Sequence, residues 1–175
     1  MLIIEGADNL GKTTAAQKLL SMAMKDDKFP VWYAHMGRPN MSFDFCSDYF
    51  DRINHFAIQD RFHLGSLVWH RPGTMTALKL KAVERNLADV GSLVVVFHCS
   101  IDKIYDKLLT DKPKAELFGK EKLMEANRAF RDLPLHPHVD VYWDFARGGY
   151  PTGMDLRSWL ATWYSRLESR RGTHD

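Results

Sequence analysis

The stretch "LIIEGADNLGKTT", residues 2–14, limits the possible folds of this chain more than any other. An apolar run passes through Glu5 to Gly6, four residues separate Gly6 from Gly11, and Lys12 and Thr13 follow at once. The run suits a buried strand of a parallel sheet that feeds a glycine turn. After the turn, Ala15, Ala16, Leu19, Leu20 and Ala23 recur at helical spacing, with Gln17, Lys18 and Lys25 between them. The chain therefore opens as strand, glycine loop, helix.

Glycines at both ends of such a loop let the backbone wrap inward, so that successive N–H groups point at one centre and the new helix adds the positive end of its dipole. Gly6-x-x-x-x-Gly11-Lys12-Thr13 fits the phosphate-cradling pattern G-x-x-x-x-G-K-[ST] in the setting its mechanism requires. The expected ligand is a nucleoside triphosphate, ATP with Mg²⁺. Gly6, Ala7, Asp8, Asn9, Leu10, Gly11 and Thr14 would surround the phosphates, Lys12 would reach the β- and γ-phosphates, and the Thr13 hydroxyl would ligate the metal. The alternative is a plain glycine turn whose lysine faces solvent. Strand and helix on either side argue against it.

Further strands are expected at 31–35, 56–60, 92–99 and 138–145, and helices at 43–55, 62–70, 74–90, 101–109 and from the end of a lysine-rich connector to about Arg131. In the 74–90 helix, Leu78, Ala82, Val83 and Leu87 are read as one apolar phase. The connector "TDKPKAELFGKEK" spans 110–122, and "ARGGYPTG" at 146–153 reads as a glycine-rich loop. Leu156, Trp159, Leu160, Trp163 and Leu167 mark a final amphipathic helix. Strands alternating with helices predict a three-layer α/β/α fold with a five-stranded parallel sheet. The 175 residues, 45% hydrophobic, suffice for one core and are short for two, so residues 1–175 are expected to form one domain. Ligands of such sheets bind beyond the carboxyl ends of the strands, where Gly6, Gly37-Arg38 and Asp60-Arg61 fall.

Charge narrows the partners. Lys+Arg 24 against Asp+Glu 22 gives a formal charge of +2, which offers no basic field for nucleic acid or an acidic membrane surface. Cys46 and Cys99 stand apart with no metal or redox spacing, the opening residues lack a basic leader, and no apolar run approaches membrane-spanning length. A cytoplasmic protein with free thiols is expected. His136 and His138, in "LHPHVD", have no third ligand nearby in sequence and read as loop histidines.

Three stretches together resemble the thymidylate kinase and deoxynucleoside kinase group of P-loop enzymes: "LIIEGADNLGKTT", "QDRFHLGSLVWH" at 59–70 and, more weakly, "LMEANRAFRDL" at 123–133. The resemblance implies phosphoryl transfer from ATP, with Lys12, Asp60 and Arg61 as catalytic residues. Arg61 would grip the acceptor's phosphate, Asp60 would orient the acceptor or hold Mg²⁺ through water, and Arg38 would add a second phosphate contact. Two anionic substrates repel, so a fork-shaped guanidinium between them suits the task. Phe45, Tyr49 and Arg52 fall where the group stacks and reads the acceptor base, with core packing as the alternative for the aromatics, and Ser66 follows the Asp60-Arg61 signature. Arg128 and Arg147 are the candidate ATP contacts beyond the loop, and 110–122 is the expected lid.

An arginine at 38, where nucleoside kinases of this group place a glutamate, favours an acceptor that already carries phosphate. The expectation is a deoxynucleoside monophosphate, dTMP first. The compact length is similar to phage-encoded members, in which case the location is the host cytoplasm, and the group's habit implies a homodimer. Rival readings are a deoxynucleoside kinase, a phage kinase of a modified base in DNA, and a non-catalytic ATP-binding regulatory domain.

Overall fold

The structure is a computed structural model that describes residues 1–36, 49, 52–69, 77–111, 119–133 and 138–171. The five strands among these residues are β1 (Leu2–Gly6), β2 (Trp32–His35), β3 (Ala57–Asp60), β4 (Leu93–His98) and β5 (Val141–Asp144). They form one sheet in the order β2-β3-β1-β4-β5, and every pair is parallel. The helices among the described residues are α1 (Lys12–Asp26), α2 (His63–Trp69), α3 (Ala77–Asp89), α4 (Asp102–Thr110), α5 (Lys120–Asp132), α6 (Phe145–Gly148) and α7 (Gly153–Arg171).

Sequence dictates which strands lie innermost. β1 is buried along its whole length and β4 in all but its last residue, whereas the edge strands β2 and β5 are only partly covered. Continuous apolar runs of this kind need a layer on each face. On one face α1 and α7 pack together, α1 against β1 and β3 and α7 against β4; on the other, α2 meets β1 and α5, and α5 meets β4 and α4. Trp159 of α7 sets its edge against Phe97 of β4 at 6.0 Å, and Trp163 is fully buried. Cys99 is a buried free thiol. No helix among the described residues is long and apolar enough to cross a membrane.

Several boundaries differ from expectation. Leu78 does not share the apolar face of α3: Val83 and Leu87 are buried, and Leu78 is 79% exposed. Nine residues are about two and a half helical turns, which sets Leu78 opposite Leu87. The 146–153 loop begins inside a helical turn, because Asp144 caps α6 by accepting the Ala146 N–H at 3.0 Å. The 110–122 connector is shorter than read, since Thr110 closes α4 and Lys120 opens α5. Its remaining residues 112–118, most of the 43–55 helix, and Arg38, Phe45 and His136 lie outside the described residues.

Candidate functional site

The loop between β1 and α1 is built by close approach. Gly6 has φ +122, and a Cβ there would stand 2.0 Å from the Phe97 carbonyl oxygen, so the residue must be glycine. The neighbouring Ala7 N–H donates to that same oxygen at 3.0 Å. Asn9 at φ 62 and Gly11 at φ 84 complete the turn, and the buried side chains of Ala7 and Leu10 anchor it in the core. Gly11 begins α1 without any side-chain cap, and the first helical turn holds no acidic residue. The N–H groups and dipole end of a 15-residue helix are thus left for an anion.

Asp60, at the carboxyl end of β3, is fully buried beside this loop. Its Oδ2 accepts the Thr13 hydroxyl at 2.6 Å and the Tyr33 hydroxyl at 3.1 Å, and His35 Nδ1 approaches to 3.0 Å. The parallel register pairs His35 with Asp60, and alternation along β2 turns Tyr33 to the same side. Burial, with Asp60 second, pushes the Tyr33 phenol up to about 12, so it stays a donor.

Arg61 follows in a left-handed conformation, φ +68, and its Nη2 donates to Asp8 Oδ1 at 2.9 Å across the loop. Lys12 is buried and folded over the same loop, donating to the Ala7 carbonyl at 2.5 Å and to Asp8 Oδ1 at 3.4 Å. Burial lowers its ammonium from the ordinary lysine value, and Asp8 opposes that shift. Beneath the loop, the buried Tyr105 of α4 donates to the Asp8 carbonyl at 3.0 Å.

Three buried polar atoms here make no hydrogen bond among the described residues: Asn9 Nδ2, Arg61 Nε and Asp60 Oδ1. Buried donors and acceptors ordinarily find partners, so two unused donors and one unused carboxylate oxygen around a phosphate-shaped loop describe the complement of an anion with a cation. The Thr13 hydroxyl and Asp60 carboxylate are hard oxygen donors of the kind Mg²⁺ takes. Among the described residues no three His, Cys, Asp or Glu side chains gather as a metal cage. A magnesium ion at Thr13 and Asp60 would therefore complete its shell with phosphate oxygens and water, as that ion prefers.

Beyond the loop, a cavity of about 280 Å³ is lined by Gly11, Thr14, Lys18, Tyr150, Pro151 and Leu156 among others. It adjoins the start of α1 from the side of the α6–α7 connection, where the sequence pointed to Arg147. Arg147 is absent from that lining; it is 87% exposed and lies 3.3 Å from Asp144. Tyr150 does line it, close enough to Gly11 that a Cβ on that glycine would meet the ring at 2.7 Å.

The remaining candidates scatter. Arg128 is held by Asp102 through two contacts of 2.8 Å, with Arg131 on the same carboxylate at 3.2 Å. Tyr49 is fully buried, its ring 4.9 Å from Phe62 and its hydroxyl on the buried Ser66. Arg52 is exposed. Lys12, Thr13, Asp60 and Arg61 come together; Arg52, Arg128 and Arg147 do not join them. Tyr33, His35, Tyr105 and Tyr150 were not singled out from sequence, although the alternation in "WYAH" would have set Tyr33 and His35 on one face.

No protein-family model matches the sequence, and no curated protein is significantly similar to it. In structure the chain is similar to YorR from Bacillus subtilis, crystallised in complex with phosphorylated GDP. The two superpose with a TM-score of 0.67 over 97% of this chain and 97% of that one, at 17% identity. The fold is shared: a three-layer α/β/α P-loop architecture around an all-parallel, five-stranded sheet.

Proposed function

We propose that this protein is a kinase that transfers the γ-phosphoryl group of ATP to the phosphate of a deoxynucleoside monophosphate, with dTMP as the first acceptor to try. The observation that carries the reading is the cluster of Lys12, Thr13, Asp60 and Arg61 around one loop, with Asn9 Nδ2, Arg61 Nε and Asp60 Oδ1 unpartnered among the described residues. A site that only stored ATP would need the loop and its lysine, but not a guanidinium on the neighbouring strand end.

In this reading the uncapped start of α1 and the loop N–H groups hold the triphosphate, and Lys12 leaves the Ala7 carbonyl to meet its outer phosphates. Magnesium bound with the nucleotide would offset phosphate charge, held by Thr13 and, directly or through water, Asp60. Tyr33 and His35 keep the Asp60 carboxylate turned toward Thr13. Arg61 turns from Asp8 to the acceptor phosphate and screens the repulsion between the two anions. Tyr150 and Pro151 offer the donor base an apolar wall beside Lys18. The whole chain, residues 1–175, acts as one kinase domain, with the segment about 110–122 as its lid and a homodimer as its expected assembly.

A second acceptor class is kept by one observation. YorR was crystallised with phosphorylated GDP, which puts guanine nucleotides beside dTMP in any trial. The test is to supply Mg-ATP with each nucleoside, each nucleoside monophosphate and duplex DNA in turn, and to follow ADP. Acceptor-dependent ADP with a monophosphate is expected. Equal ADP with and without every acceptor would sink the kinase reading, and phosphorylation of thymidine but not dTMP would move the acceptor to the nucleoside.

A further inference from the structure

Glu5 is the residue just before the phosphate loop, and its side chain is buried at 1% exposure. A carboxylate so placed needs hydrogen-bond donors. It finds them on another strand's loop: Oε1 accepts the backbone N–H groups of Phe62 at 2.8 Å, Leu64 at 2.9 Å and Gly65 at 3.3 Å. These belong to the residue after Arg61 and to the first turn of α2, whose N–H groups have no partners within the helix. Gly65 permits the approach, since a Cβ there would meet Glu5 Oε2 at 3.3 Å.

Arg61 sits between Asp60 and this clamp with φ +68, a conformation that a non-glycine residue keeps only where its surroundings fix it. Its N–H donates to the Ile4 carbonyl at 2.9 Å, and its own carbonyl accepts Gln59 Nε2 at 2.9 Å. The turn is therefore fastened to two successive residues of β1, to the backbone of Ile4 and the side chain of Glu5. Those residues lead straight into Gly6.

We propose that Glu5 is a positioning residue, which holds the Arg61 turn against β1 so that the phosphate loop and the arginine beside it keep one fixed spacing. The inference rests on the reading of Arg61 as the acceptor-phosphate contact. Glu5 touches neither substrate and acts through Arg61. Its loss should therefore be felt by the acceptor and much less by ATP.

The test uses Glu5→Ala, Glu5→Asp, Glu5→Gln, Arg61→Ala and the double variant Glu5→Ala/Arg61→Ala, with the accepted monophosphate and Mg-ATP titrated separately by calorimetry and by rate. Glu5→Ala and Glu5→Asp should weaken the acceptor by about tenfold, while Mg-ATP affinity changes less than about threefold. Glu5→Gln keeps an oxygen acceptor of the same reach and should stay within about threefold of wild type. The double variant should be no worse for the acceptor than Arg61→Ala alone. Equal losses for both ligands, or losses that multiply in the double variant, would overturn the proposal. Should Glu5→Ala fail to fold by circular dichroism, Glu5→Asp against Glu5→Gln decides: equal acceptor affinity in the two contradicts the role. A wild type that binds the monophosphate yet transfers nothing to it would refute the kinase reading alone, and the binding arms would still judge Glu5.

Discussion

Lys12 and Arg61 differ from Arg128 and Arg147 less in charge than in company. Lys12 and Arg61 share one carboxylate, Asp8, which itself belongs to the phosphate loop, and Arg61 has a buried Nε with no partner among the described residues. Arg128 shares the partly exposed Asp102 with Arg131, away from the phosphate loop, and Arg147 lies in solvent beside Asp144. Cations that sit in solvent gain little from a second anion, because water already screens them. Lys12 and Arg61 meet instead at a half-buried carboxylate inside the loop, where water screens less and an arriving phosphate would supply counter-charge to both. On the proposed reading, this difference puts the working charges at the loop and on the end of β3.

Substitutions can break this contrast, and the largest effect belongs to Lys12. Lys12→Ala should lower turnover by roughly 10²–10³-fold, the scale of losing one oriented charge at the reacting group. Arg61→Ala should raise the acceptor KM or lower kcat by about tenfold to a hundredfold, with Mg-ATP binding little changed, because one charge-assisted contact to the acceptor is lost. A steady-state matrix over both substrates separates the two outcomes. If Arg61→Ala instead damaged ATP binding as much as acceptor use, Arg61 would belong with the triphosphate.

Glu5 sharpens the contrast through pH. Burial pushes its carboxyl up to about 7, against the opposing pull of three N–H donors and Lys12. The folded state therefore holds a proton that the unfolded chain, near 4.5, has released. Stability from this group is full below about 4.5 and falls away as pH rises toward about 7. Denaturant melts between these values should show a flatter profile for Glu5→Gln than for wild type. An identical slope in both would mean that Glu5 does not titrate there. Smallest of all, Arg128→Ala and Arg147→Ala should change rates by less than about fivefold, as exposed ion pairs do.

What the sequence made legible was local. The apolar run, the glycine spacing and the helical stripe of residues 15–23 define β1, the loop and α1 within some twenty residues of chain, and Leu156 to Leu167 mark α7 in the same way. The contacts that finish the site are long-range. Tyr33 and His35 reach Asp60 only because β2 pairs beside β3, and Glu5 meets residues almost sixty positions away because β1 lies beside β3. Neither pairing is written in any short window. Arg128 shows the converse: it fits a local pattern, yet a carboxylate on the preceding helix occupies it. The helix–loop boundary at 145–148 was missed because one cap, Asp144 on Ala146, outweighs the glycines that follow.

The most direct test of the account is acceptor-dependent ADP formation measured side by side for wild type, Arg61→Ala and Arg147→Ala, at saturating Mg-ATP over a range of the best monophosphate. The account predicts that Arg147→Ala follows wild type while Arg61→Ala loses the acceptor-dependent rate. Retention by Arg61→Ala with loss by Arg147→Ala would contradict it.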